Sequence, residues 1–231
     1  MKRAFALIII LMLTVAAYSQ DGKKLQLGLI GATDFTWFQS DRPEVINDGV
    51  KLSLRGGINF EYQLLDNYYL QTGLIFNNVK GALQYTSDNV PFIANGNFVL
   101  FNTTTVGNDV TISHSLNYLE IPIGMKLKTN EIGYFTYHAS FGLRPMFNTK
   151  SMADADQLSL QDASISEEIN FFQLGGYVGL GADYIITKKF IVSAALRYNP
   201  GFTDLTSNDA GRPFKDKIVM NSVSLQVGVS F

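Results

Sequence analysis

The chain contains no cysteine in 231 residues. This absence excludes a disulfide framework, a thiolate metal site, a cysteine nucleophile and a lipid anchor on an N-terminal cysteine. Charged side chains make up only 16% of the residues, and the net charge is −2. So small a charge gives no support for binding to nucleic acid. Aromatic residues and glycine are abundant instead, with 17 Phe, 11 Tyr and 20 Gly. Glycines inside long strand patterns are typical of β-barrels, whose strands must curve.

The N-terminus predicts a signal peptide. Lys2 and Arg3 precede an apolar run over residues 4–17, which is too short to span a bilayer. Small residues then stand at the −3 and −1 positions of a cleavage site after Ser19. We therefore expect a signal peptide over 1–19 and an exported domain over 20–231; the alternative is an uncleaved membrane anchor.

Residues 115–145 show the strand pattern most clearly. Odd-numbered positions from Leu119 to Leu127 are apolar, whereas the even-numbered positions are mostly polar or small. The same alternation continues over 134–144, after a predicted turn at 129–132 in which Asn130 suits a positive φ. A period of two predicts strands rather than helices.

Six further stretches repeat this alternation, so the chain contains eight predicted strands. They cover 25–37, 52–64, 68–85, two strands within 115–145, 170–186, 190–202 and 218–231. Long connections (40–49, 86–109, 148–167, 203–216) alternate with short ones, as in outer-membrane barrels with short periplasmic turns. The prediction is an all-β, eight-stranded, antiparallel, up-and-down transmembrane β-barrel; a soluble β-sandwich is the alternative fold.

Charged residues on the predicted inward faces are balanced in sign. They are Asp34, Arg55, Glu61, Glu120, Lys126, Arg144, Asp183 and Arg197. Because charges in a low-dielectric interior must be paired, we expect a network of ion pairs and hydrogen bonds that fills the lumen. A conducting path through the barrel is the alternative.

No catalytic, cofactor-binding or metal site is predicted. The chain lacks G-x-S-x-G, H-E-x-x-H and phosphate-loop motifs, and its acidic third long connection lacks EF-hand spacing. His138 is predicted to face inward. His114, beside Ser113 and Ser115 near the predicted outer rim, leaves a lipid-modifying enzyme as an alternative.

The motif YLEIPIGMKLK at 118–128 resembles the PorT-like outer-membrane β-barrel family of Bacteroides-group bacteria. The stretches YFTYHASFGLRP, LGGYVGLGADY, RYNPGFTDLT and SLQVGVSF are also similar to that family. The resemblance implies a Gram-negative outer-membrane barrel and no catalytic residues; the family's namesake supports protein secretion by the type IX system. We expect Glu120 to pair with Arg55, Lys126 or Arg144, and Pro122 to bend its strand.

The sequence thus predicts a non-enzymatic, integral outer-membrane protein that carries extracellular loops, with an envelope, adhesion or secretion-support role. A lipid-modifying enzyme and a narrow pore are the alternatives. Expected partners are outer-membrane lipid, an extracellular or secretion-system protein, and the barrel assembly machinery, whose recognition signal the aromatic final strand ending at Phe231 resembles.

Overall fold

The computed structural model describes residues 25–86, 90–95, 97–101, 109–155, 160–187, 190–207 and 217–231. The predicted signal peptide and its cleavage site, the short turn at 188–189 and parts of the long connections lie outside these ranges. Within the ranges, no helix has the length and apolar character needed to cross a membrane.

The described residues form thirteen β-strands. They are β1 (Leu25–Ser40), β2 (Val45–Asn47), β3 (Lys51–Leu65), β4 (Tyr68–Tyr85), β5 (Val90–Ala94), β6 (Asn97–Phe101), β7 (Val110–Glu120), β8 (Ile123–Lys128), β9 (Phe135–Ala155), β10 (Leu160–Ser164), β11 (Phe172–Thr187), β12 (Phe190–Asn199) and β13 (Ile218–Ser230).

Eight barrel strands close into a ring, because β7 and β8 together act as one strand. The ring order is β1, β3, β4, β7 with β8, β9, β11, β12 and β13, and all neighbours are antiparallel. The ring closes where β13 pairs with β1, from Gly28↔Ser230 to Ser40↔Ile218. The predicted eight-stranded, up-and-down barrel is confirmed.

Pro122 interrupts the fourth barrel strand without changing its register. On one side Ile75 pairs with Glu120, and on the other Thr72 pairs with Ile123. Both strands advance by three residues between these pairs, so the register is unchanged. Proline has no backbone N–H and cannot donate a ladder hydrogen bond, which explains the gap between β7 and β8. The side chains on both sides of the gap therefore keep their predicted faces.

The outer face of the ring is apolar. Leu54, Phe76 and Leu180 lie in regular strands and yet are 61%, 66% and 69% exposed. An apolar outer face with polar residues inside is the arrangement of a barrel in lipid. The soluble sandwich is therefore wrong, because it would bury these side chains between two sheets.

Aromatic side chains mark both edges of the apolar face, as in the aromatic girdles at the two membrane interfaces of such barrels. Near the short turns, the ring centroids of Phe135 and Tyr184 are 5.0 Å apart. Toward the long connections, Trp37 stacks on Tyr198 at 6.4 Å.

The long connections contain more sheet than the sequence predicted. β2 pairs with the end of β4, and β9 runs on to Ala155 to pair with β10, although 148–167 was predicted as a loop. β5 and β6 form a separate hairpin within the predicted 86–109 loop. The sheet therefore extends past the apolar band at this end of the barrel, which we call the long-loop end.

The predicted turn at 129–132 is displaced. Ile132 pairs with Phe135 across Gly133 and Tyr134, and the positive φ of 65° belongs to Gly133 rather than to Asn130. Glycine adopts this conformation without steric cost, so it takes the turn position in place of asparagine.

Candidate functional site in the barrel interior

All eight predicted charged residues lie inside the barrel. None of them is more than 5% exposed. They come from seven strands, β1, β3, β7, β8, β9, β11 and β12, so their interactions connect most of the ring. Seven of them form two clusters of ion pairs. The eighth, Arg197, forms no ion pair with either cluster.

The first cluster is centred on Glu120. Arg144 donates from Nε to Glu120 Oε1 at 3.0 Å and from Nη2 to Oε2 at 2.7 Å, and Arg55 Nη1 donates to Oε1 at 3.4 Å. A bidentate pair of this kind fixes both side chains in position. Of the three predicted partners of Glu120, Arg144 and Arg55 are confirmed, whereas Lys126 pairs elsewhere.

Arg55 extends this cluster to the seam where the barrel closes. Its Nε lies 3.5 Å from Asp34 Oδ2, and its Nη2 donates to Ser224 Oγ at 3.0 Å. Ser224 also accepts a hydrogen bond from Asn199. Because Asp34 and Ser224 belong to β1 and β13, these contacts join both sides of the seam to β3.

The second cluster lies toward the short turns. Lys126 Nζ is 3.0 Å from Glu61 Oε1 and from Asp183 Oδ2, and Lys128 Nζ contacts the same two carboxylates at 3.1 and 3.2 Å. His138 Nδ1 lies 3.2 Å from Asp183 Oδ1, so its predicted inward position is confirmed. A recess of about 400 Å³, lined in part by Lys128 and Asp183, opens this cluster to the short-turn side.

Arg197 is bound by neutral groups. Its Nη2 donates to Gln71 Oε1 at 3.1 Å, and its guanidinium lies 4.8 Å from the centre of the Tyr177 ring. Within the described residues it forms no ion pair with a carboxylate. The expectation that every interior charge is paired is therefore wrong at this residue, where a cation–π contact and an amide replace the anion.

Lys128 is the network residue that the predicted set omitted. The alternation places Lys128 on the inward face, but the predicted set of interior charges included Lys126 and not Lys128. With Lys128, the two clusters and Arg197 contain five cations (Arg55, Lys126, Lys128, Arg144, Arg197) and four carboxylates (Asp34, Glu61, Glu120, Asp183). The predicted charge balance of four and four is thus changed by one.

The interior at the long-loop end is apolar, in contrast to the network of ion pairs and hydrogen bonds predicted to fill the lumen. Residues of the barrel strands and of the long connections are buried there and form one hydrophobic cluster: Phe38, Val45, Val79, Leu83, Tyr85, Val110, Ile112, Leu116, Tyr118, Met146, Ala153, Ala155, Ala163, Ile165, Ile169, Leu205, Ile218 and Met220. We call this cluster the upper core. The signal was present in β7, where inward positions change from Val110, Ile112 and Leu116 to Glu120.

His114 packs against the upper core and faces away from its neighbouring serines. It is 5% exposed, and its ring meets Phe38 edge-on at 5.8 Å. Ser113 and Ser115 lie on the opposite face of β7, because side chains alternate along a strand. His114 therefore lies toward the long-loop end, but it faces the interior and shares no face of β7 with a serine. The described residues contain no group of three or more His, Asp or Glu side chains that could hold a metal ion.

A family profile describing an outer membrane protein beta-barrel domain matches residues 18–207. The chain belongs to this family. It is also similar to solved structures of comparable length: Ail, the attachment invasion locus protein of Yersinia pestis (13% identity, 91% of this chain and 100% of that one, TM-score 0.38), neisserial surface protein A (14%, 89% and 97%, 0.45) and OprG from Pseudomonas aeruginosa (11%, 90% and 96%, 0.45). No curated protein matches the chain.

Proposed function

We propose that this outer-membrane barrel is a non-enzymatic scaffold, which holds its long-loop end in a fixed shape for contact with a protein partner. The upper core is the observation that carries the proposal. The protein would act in the envelope, in adhesion or in support of secretion. The resemblance of residues 118–128 to PorT-like barrels favours secretion support. Export by the signal peptide and assembly through the strand ending at Phe231 belong to the same proposal.

The upper core packs connecting segments against barrel strands. Val45 from β2, Ala163 from β10 and Leu205 from the last long connection are all buried in it. Burial of apolar side chains in this way fixes a connection far more firmly than surface contacts do. Recognition residues usually lie on loops that a rigid scaffold positions, and this packing provides such a scaffold.

Hydrogen bonds hold the same connections in place. Asn170 Nδ2 donates to the backbone oxygens of Asp204 and Thr206 at 3.1 and 2.8 Å, and Ile169 pairs with Thr206. The Asp204 carboxylate accepts from the backbone N–H of Ile218 at 3.0 Å, at the first residue of β13. Two neighbouring long connections are therefore bound to each other and to the barrel.

The interior contents favour a scaffold over a pore. Side chains occupy the lumen at three levels: the Lys126 cluster near the short turns, the Glu120 cluster, and the upper core. Eight-stranded barrels are just wide enough to be filled by side chains. The enzyme alternative loses its support as well, since His114 does not share a face with Ser113 or Ser115.

Single cysteines test the proposal cleanly, because the natural chain has none. Glu167 at the long-loop end and Glu131 beside a short turn are both exposed, so they form a matched pair. On intact cells, a membrane-impermeant maleimide should label Glu167→Cys and leave Glu131→Cys unlabelled until the cells are opened. The reverse pattern, or equal labelling, would contradict the orientation.

The partner role is tested with the same variants. A photoreactive maleimide attached at Glu167→Cys should give a discrete, reproducible cross-linked species on intact cells, and one attached at Glu131→Cys should not give that species. No adduct at Glu167→Cys or at a second exposed position, Ser166→Cys, would argue against a protein partner at this end.

A further inference from the structure

A β-bulge in β9 changes which residues face outward. Before the bulge, even-numbered residues such as Arg144 face the interior; after it, odd-numbered residues such as Ser151 do, and both are buried. The pairs on the two sides are Tyr118↔Asn148 and Asn117↔Lys150, so Thr149 is the additional residue. Strict alternation would place Lys150 inside the barrel. The bulge turns it to the outer face, where it is exposed.

A second outward lysine lies two strands away. Lys80 on β4 is exposed and pairs with Ser115 of β7, while Asn117 of β7 pairs with Asn78 on one side and with Lys150 on the other. Asn78 Nδ2 donates to Asn117 Oδ1 at 2.6 Å, which fixes the amides between the two lysines. Strands two apart in a sheet are separated by about 10 Å, so both flexible ammonium groups can reach one ligand between them.

This patch lies directly beyond the apolar face of the barrel. On the same three strands, the outward residues nearest to it are Phe76, Leu119 and Phe147. Phe147 contacts Phe171 and Phe172, with ring centroids 5.9 and 5.6 Å away. An aromatic edge of this kind is typical of the membrane–water interface, where headgroups lie and lysine side chains extend to meet them.

Acidic residues are few on the three strands of the patch. Within the described residues, neither Lys80 nor Lys150 forms an ion pair. β4 has no acidic residue, and the acid of β7, Glu120, is inside the barrel. The acid of β9, Asp154, lies four residues beyond Lys150, which is about 13 Å along a strand, and it pairs with Ser113, two residues from the partner of Lys80. Asp48, whose N–H donates to the Ala82 oxygen of β4, forms its ion pair with Lys51 at 3.3 Å.

We propose that Lys80 and Lys150 bind the phosphate group of a lipid in the outer leaflet, with Asn117 and Ser115 as neutral hydrogen-bonding groups between them. The inference rests on the proposed function, since it requires the long-loop end to face outward. The lipid expected to bind here has a headgroup that carries phosphate. The bulge at Thr149 creates the site, because it turns Lys150 outward.

The test compares lipid retention by folded protein. The wild-type chain and the double variant Lys80→Gln/Lys150→Gln are inserted into phosphatidylcholine nanodiscs containing phosphorylated lipid A, and bound lipid is counted by native mass spectrometry. Each lysine near an anionic surface contributes about fivefold to affinity, so the double variant should bind the lipid about 25-fold more weakly. Lys80→Arg/Lys150→Arg should keep binding, and Lys217→Gln, an exposed lysine outside the patch, should not change it.

Each other outcome overturns the site in a distinct way. Equal retention by the wild-type chain and the glutamine variant, both inserted and heat-modifiable, overturns the lipid site alone. Equal retention of lipid A without phosphates overturns the role of phosphate. Displacement of the lipid by millimolar inorganic phosphate makes the patch a site for the free anion. A wild-type chain that does not insert overturns the proposed function together with the site.

Discussion

Glu120 and Arg144 form a two-point ion pair inside the barrel, with Nε to Oε1 at 3.0 Å and Nη2 to Oε2 at 2.7 Å. The two residues belong to neighbouring strands, and both are at most 3% exposed. Arg55 shares the same carboxylate, so one acid neutralises two guanidinium groups. Removing the charge of Glu120 would leave Arg144 without its ion pair, and Arg55 with Asp34 alone.

Glu120→Gln should therefore destabilise the barrel by about 3 to 5 kcal/mol, the cost of breaking a buried ion pair from one side. The measurement is urea unfolding in lipid vesicles, followed by the fluorescence of Trp37, the single tryptophan of the chain. Glu131→Gln is the matched control, because Glu131 is exposed and should change the free energy of unfolding by less than about 0.5 kcal/mol. A loss below about 1 kcal/mol in Glu120→Gln would show that water reaches the pair.

Alternation along the strands, together with the alternation of long and short connections, was enough to predict the barrel and its interior acids and bases except Lys128. Glu120, Lys126 and Arg144 face inward because a period of two leaves only two faces, and the apolar one meets lipid. The partner of Glu120 was narrowed to three bases but not to one, because alternation gives the face of a residue and not its distance from another strand.

Three features depended on information that alternation does not contain. Lys150 has the sequence position of an inward residue, and only the bulge at Thr149 turns it outward. The inward positions of β7 already show part of the upper core, but the packing of the connections onto it needed the pairing of β2 and β10 with barrel strands, which are contacts distant in sequence. Arg197 contacts the neutral side chains of Gln71 and Tyr177. Because these partners carry no charge, the sequence gives no sign of the pairing.

Gly81 is needed because the Phe38 ring occupies the place of its missing side chain. A Cβ at Gly81 would overlap ring atoms Cε2 and Cζ of Phe38, which is fully buried. Gly81→Ala should therefore destabilise the barrel by about 1 to 3 kcal/mol through overpacking. Urea unfolding measures this, with Gly31→Ala as the control, since a Cβ there meets no atom within 4 Å.

The cause of that loss can be isolated with a double-mutant cycle. Phe38→Ala alone should cost about 3 to 5 kcal/mol, because it leaves a cavity in the upper core. In Phe38→Ala/Gly81→Ala the added methyl group has room, so the combined loss should be smaller than the sum by about 1 to 3 kcal/mol. Additive losses would mean that Gly81 is required for backbone reasons and not for the Phe38 ring.

A filled lumen predicts an electrically silent barrel. Wild-type protein inserted into planar bilayers should give no single-channel steps, because ion pairs and the upper core close the interior at successive levels. A porin added to the same bilayer is the positive control for insertion, and heat-modifiability on gels shows that the sample is folded. Reproducible steps that scale with the amount of folded protein would favour the narrow pore.

The position of His114 gives a prediction about lipid chemistry. Its ring packs on Phe38 inside the upper core, while Ser113 and Ser115 lie on the other face of β7, so no serine beside it on this strand can use it as a base. His114→Gln and Ser113→Ala should both leave the mass spectrum of lipid A in the producing cells unchanged relative to the wild-type gene. The informative comparison is with cells that lack the gene: a lipid A species that appears with the wild-type chain and disappears in both variants would restore the enzyme alternative. A species lost only in His114→Gln together with the heat-modifiable band would instead report unfolding of the upper core, since His114 is buried there.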